Sequence, residues 1–193
     1  MKFPLVILIV SVSYLLTSLP VLAEDDPAKL CKQAATLFEE GDLEGALEEA
    51  KWCVTQLEQL KQSQTATFFK DNIMGFTGGE LTQQSAMGFT MIERLYTKAN
   101  KEIRVALTGG NSSGALGAFS ALAQFGLQSA GTSKVRIQKR SAVITNENGQ
   151  LSMMITLKSG AMLGLEADTV SKDELIEFAK AFPVKALDNS LLQ

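Results

Sequence analysis

The sequence predicts an α+β fold: an N-terminal helical hairpin, then a twisted antiparallel sheet of about five strands with an inserted apolar helix and a C-terminal helix. Three observations lead to this class. Apolar residues recur at helical spacing over 28–62, alternate with polar ones from about Gly79 to Leu165, and return to helical spacing over 172–182. Turn sequences join some of the alternating segments directly, which favours antiparallel neighbours over long crossovers. Helices lying against one face of such a sheet complete the class.

The first residues have the order of an export signal. Met1-Lys2 carries one positive charge, Phe3 to Leu19 is uncharged, and Val21-Leu22-Ala23 places small or modest residues before Glu24. Positive start, apolar stretch and small-residue exit are the marks of a cleavable secretory signal. An uncleaved anchor needs about 20 apolar residues, and Pro20 interrupts the run. We therefore expect residues 1–23 to be removed, followed by a hairpin over 24–63 and an antiparallel α+β domain over 64–193. Removing 23 of the 193 residues leaves 170, enough for one real core, and the loss of Lys2 takes the net charge from −3 to −4. A mildly acidic chain has no general affinity for nucleic acid. The expected compartment is the periplasm or the exterior, with no membrane span after cleavage.

In the hairpin, Cys31, Ala34, Ala35 and Phe38 recur at helical spacing, and Leu43, Ala46, Leu47, Ala50, Cys53, Val54, Leu57 and Leu60 form a second apolar stripe. Pro27 suits a helix start, Gly41 a helix end and Asp42 a cap. Cys31 and Cys53 lie roughly 15 and 18 Å from the bend at the helical rise, so their thiols fall nearly level. The four alanines let the helices approach as a disulfide requires. With two cysteines in an oxidising compartment and no Cys-x-x-Cys pair, a structural bridge is the expectation. The segment LFEEGDLEGALEEA resembles a single tetratricopeptide-type hairpin. No second copy follows, and one unit cannot bury its own face.

In the second part we read strands from the alternation of Phe89, Met91 and Leu95, of Ile103, Val105 and Leu107, of Val135 and Ile137, of Leu151, Met153, Ile155 and Leu157, and of Ala161, Leu163 and Leu165. Residues 63–75 read as a linker. Asn146-Glu147-Asn148-Gly149 and Lys158-Ser159-Gly160 are turn sequences. Ser171 and Glu174 form a capping box for a helix over 172–182, which Pro183 stops.

The chemistry-bearing residues are few. The sequence has no His, so histidine triads are absent, and with both cysteines bridged zinc would have only carboxylates. Thr108-Gly109-Gly110-Asn111-Ser112-Ser113-Gly114 lacks the Gly-Lys-Ser/Thr ending of a phosphate loop. Glu166 and Asp168 could serve a carboxylate-only hydrolase, though such a pair near a strand end is ordinary surface. Residues 112–128 are uncharged, with Leu116, Phe119, Leu122 and Leu127 on one side; they form a core helix, a subunit or partner interface, or the wall of an apolar ligand site. Lys134, Arg136 and Arg140 suit contact with an anion or a solvated sheet face. The acidic cluster around Glu39, Glu40, Asp42, Glu44, Glu48 and Glu49 is a solvated face or a dock for that basic strand.

The run GFTGGELTQQSAMGFTMIERLYTK, with the glycine-rich apolar helix and the capped terminal helix after it, resembles a family of exported bacterial proteins of uncharacterised activity. The resemblance spans most of residues 30–185. It implies the fold and the compartment and assigns no functional residue. The expectation from all of this is a non-enzymatic periplasmic binding or interaction protein with no cofactor and no metal. Its partner is a periplasmic protein or an apolar ligand, and a lipid-like carrier is the alternative.

Overall fold

The computed structural model describes residues 26–86, 89–110 and 132–192. The uncharged stretch 112–128, with Leu116, Phe119, Leu122 and Leu127, lies outside the described residues, as do residues 1–23, for which an export signal is expected. The chain divides into two compact units, Met1–Gln56 and Leu57–Gln193.

The first unit holds α1 (Pro27–Glu39) and most of α2 (Leu43–Ala66), which continues into the second unit. Asp26 caps α1 by accepting from the Ala28 amide, and Pro27 takes the position where a missing N–H costs nothing. Gly41 turns the chain with φ +85°, a left-handed conformation that favours glycine. Asp42 then accepts from the Gly45 amide at 3.0 Å and starts α2.

Among its described residues the second unit holds the end of α2, one eight-stranded antiparallel sheet and two further helices packed on one face of that sheet. Its strands are β1 (Asn72–Ile73), β2 (Phe76–Ala86), β3 (Phe89–Lys98), β4 (Lys101–Gly110), β5 (Ser133–Ile137), β6 (Arg140–Glu147), β7 (Gln150–Thr156) and β8 (Met162–Ala167). The order β1-β2-β3-β4-β8-β7-β6-β5 is two four-stranded meanders joined where β4 pairs with β8. The helices are α3 (Lys172–Ala181) and α4 (Val184–Leu191).

Eight strands replace the five expected. Three were missed. The two-residue β1 and the polar, glycine-bearing β2 carry too few apolar residues to alternate. In β6, Ala142 and Ile144 are buried while Val143 between them is only half-buried, so three apolar residues run together. The register of β3 also differs from the expected one: Ile92 and Tyr96 are buried, and Met91 is exposed. At the C-terminus Pro183 ends α3 as expected, but a second helix starts at the next residue.

The buried sheet face packs on α3 and α4. Phe178 sits edge-on to Phe76 and Tyr96, at ring-centroid distances of 5.4 and 5.3 Å, and Phe69 meets Phe182 at 5.3 Å. The other face is wetter, with Met154 and Met91 exposed among Thr, Ser and charged residues. Such one-sided burial is ordinary for an antiparallel sheet.

Candidate interaction surface

The hairpin is held together along one side only. Ala46 and Cys53 are the residues of α2 in this unit that are buried, and no residue of α1 is. Cys31 and Cys53 form the disulfide, with Cα atoms 5.1 Å apart, and Gln33 Nε2 donates to Glu49 Oε1 at 3.4 Å. About a quarter-turn around α2 from this seam, Leu43, Leu47 and Val54 stand 67, 57 and 53% exposed, with half-buried Ala50 between them. Their spacing of four, three and four residues is one straight stripe on a helix. Phe38 adds a further exposed ring near the bend, and Trp52 an exposed indole on the opposite flank of α2. Glu44 and Lys51 border the stripe on the side away from the disulfide, both exposed.

A contiguous apolar stripe is unusual on a soluble surface, where apolar residues normally scatter singly. The local sequence explains it. Asp42 and Gly41 fix where α2 begins, and Cys53 fixes which side meets α1. The stripe follows from the 3.6-residue period and has nothing left to face among the described residues of its unit.

The basic strand resolves into two groups. Lys134 and Arg136 are exposed on the outer sheet face at the β5 edge, paired in register with Val143 and Ser141. Among the described residues neither has an ion-pair partner. Arg140 is not with them. The chain turns at Gln138 and Lys139, and Arg140 opens β6 on the buried face, 5% exposed. Its Nε donates to Asp188 Oδ2 at 2.7 Å and its Nη1 to the Gln138 carbonyl at 3.0 Å. Asp188, fully buried, also accepts from the Lys158 and Ser159 amides at 3.0 and 2.9 Å. Burial by itself raises the Asp188 pKa, but the two amides and Arg140 outweigh it and hold the carboxyl below its ordinary value. The ion expected to contact a ligand is therefore an internal brace.

Arg94 is a second brace that the sequence reading missed. It donates to the carbonyls of Gly79 and Phe69 at 2.8 and 2.6 Å and pairs with Asp71 at 2.7 Å, filling the bulge where β2 slips between Gly78 and Leu81. Beside it the Tyr96 hydroxyl is buried without a hydrogen-bond partner among the described residues. Burial pushes the phenol up to about 12, with the Arg94 charge pulling the other way. A Gly-Gly pair opposite an arginine was the available signal. Glu166 in β8 and Asp168 just beyond it are both exposed. Among the described residues no three His, Cys, Asp or Glu side chains gather as a metal site, and no helix is long and apolar enough to cross a membrane.

No protein-family model, no curated protein and no solved structure matches the chain.

Proposed function

We propose that the protein is a non-enzymatic, exported interaction protein that binds its partner through the disulfide-stapled hairpin. The observation that carries this reading is the apolar stripe of Leu43, Leu47 and Val54, exposed on a helix whose adjacent side is already committed to the disulfide. The export-signal order of residues 1–23 and the disulfide support placement in the periplasm or outside the cell. A photo-crosslinking side chain placed at Leu47 in living cells is expected to give covalent adducts. Adducts formed only from positions on the sheet unit, such as Met154, would overturn it.

A second reading is favoured by the outer sheet face. A groove there is lined by Lys134, Val135, Arg136, Ser141, Ala142 and Val143, so two cations with no ion-pair partner among the described residues stand beside the Val143 side chain. That chemistry suits an apolar ligand with an anionic end. Native mass spectrometry of the purified chain separates the readings: co-purified lipid would favour the carrier, and a bare chain the interaction protein.

A further inference from the structure

We infer that the occupant of the hairpin stripe is a second copy of the same hairpin, with the two α2 helices laid antiparallel. This inference rests on the hairpin being the interaction surface and names its partner.

Self-complementarity carries it. In an antiparallel pair centred between Glu48 and Glu49, Leu43 of one copy lies opposite Val54 of the other, and Leu47 lies opposite Ala50. Each contact occurs twice by the two-fold symmetry. A large side chain thus meets a small one in the two central layers, and two branched side chains meet in the outer ones, which suits interlocking of helices. Leu43, Leu47 and Val54 are all more than half exposed, so no described residue of the hairpin has to move aside.

Charge selects the same arrangement. Glu44 and Lys51 flank the stripe on one side. In the antiparallel register Lys51 of each copy falls within about two positions, roughly 3 Å along the axis, of Glu44 of the other. A parallel pair would instead put the two Glu44–Lys51 flanks on opposite sides of the seam, where they cannot pair. The acidic residues around the bend, Glu39, Glu40 and Asp42, would also crowd together in the parallel pair, whereas the antiparallel one sends them to opposite ends. The disulfide side stays clear, because Ala46 and Cys53 face α1.

Sedimentation equilibrium of the mature, disulfide-bonded chain tests this. The wild type is expected to dimerise. Lys51→Glu should weaken the dimer by about tenfold, and adding Glu44→Lys should restore most of the loss, since the pair is then reversed and again opposite in sign. Leu47→Glu should leave a monomer with unchanged helical circular dichroism, because the side chain is exposed and folding does not depend on it. A wild type that stays monomeric at hundreds of micromolar overturns the inference. So does a dimer indifferent to Leu47→Glu, or a double charge reversal as weak as the single one. A monomeric chain that still forms adducts to another protein from position 47 refutes the second copy alone. Failure of the Leu47 adducts in cells refutes the interaction surface as well.

Discussion

Asp188 shows how one side chain can tie three parts of a fold together. Its carboxylate receives Arg140 from the start of β6 and two amides from the β7–β8 turn, with Asp188 and Arg140 themselves buried. Asp188→Ala leaves Arg140 charged and unpaired inside the protein, and breaking a buried pair in this way costs about 3–5 kcal/mol. A urea titration of the variant should show that loss at neutral pH. The pH dependence has a definite sign. The folded-state pKa is depressed, so the stabilisation is complete above the ordinary aspartate value of 3.8 and disappears as the pH falls below it through the folded-state pKa. Acid titration of stability should therefore be flatter in the variant than in the wild type over that window. Tyr96 works in reverse. Its hydroxyl is buried with no hydrogen-bond partner among the described residues, so Tyr96→Phe removes a desolvated polar group and keeps the ring contact with Phe178. The change is expected to leave stability unaltered or raise it by up to about 1 kcal/mol. It should also remove the loss of stability that sets in above pH 10, where the unfolded tyrosine ionises and the folded one, held at about 12, does not. A clear drop in melting midpoint for the phenylalanine variant would mean the hydroxyl is bonded after all.

Among the elements, the tight hairpin turns differ in how openly the sequence announces them. Asn148-Gly149, with φ of +55° and +91°, joins β6 to β7 and is the Asn-Gly pair that the left-handed two-residue turn demands. Gln138-Lys139 joins β5 to β6 with the same two positive φ values, +46° and +68°, and contains no residue suited to them. What holds it is tertiary. The Gln138 amide donates to the Lys180 and Phe182 carbonyls at 2.8 and 2.7 Å, and its oxygen accepts from the Lys185 amide at 2.7 Å. This is why β6 was not legible: its entry turn depends on groups more than forty residues away in the sequence. Lys139→Gly should relieve the local strain and stabilise by about 1 kcal/mol. Gln138→Ala should destabilise by roughly 1–3 kcal/mol because it strips partners from three backbone groups. Thermal melts of the two variants should move in opposite directions. In the hairpin the corresponding support is covalent. The bridge closes a loop of sequence separation 22, and such closure contributes about 3 kcal/mol in the chain-entropy model. α1 buries no residue, and a helix of 13 residues is marginal by itself. Replacing both cysteines by serine is therefore expected to speed hydrogen exchange across Pro27–Glu39 while protection in β7 and β8 is kept. Uniform protection in both would show that the hairpin does not need its bridge.

At the scale of the whole molecule, sequence and tertiary structure settled different things. The two helices of the hairpin, the caps at Asp42 and Ser171 and the strands through Ile103–Leu107, Leu151–Ile155 and Leu163–Leu165 were determined by local chemistry. In each of them the period of the apolar residues, or a capping or turn residue, acts within a few positions of itself. The antiparallel pairing of those strands follows from the same segments, but not the eight-stranded sheet that they belong to. The number of strands, the joining of the two meanders through β4 and β8, and the burial of Arg140 rather than its exposure beside Lys134 and Arg136 were decided only when distant segments met. A cation at a strand position reads the same whether it faces water or an aspartate 48 residues further along. The apolar stripe on α2 belongs to both levels: the sequence placed Leu43, Leu47 and Val54 on one line, and only the fold left that line facing outward. The reason is the reach of the interactions. Helical periods, caps and two-residue turns are set by neighbours in the chain, whereas strand pairing and the partner of a buried charge are set by whatever the packed core brings alongside.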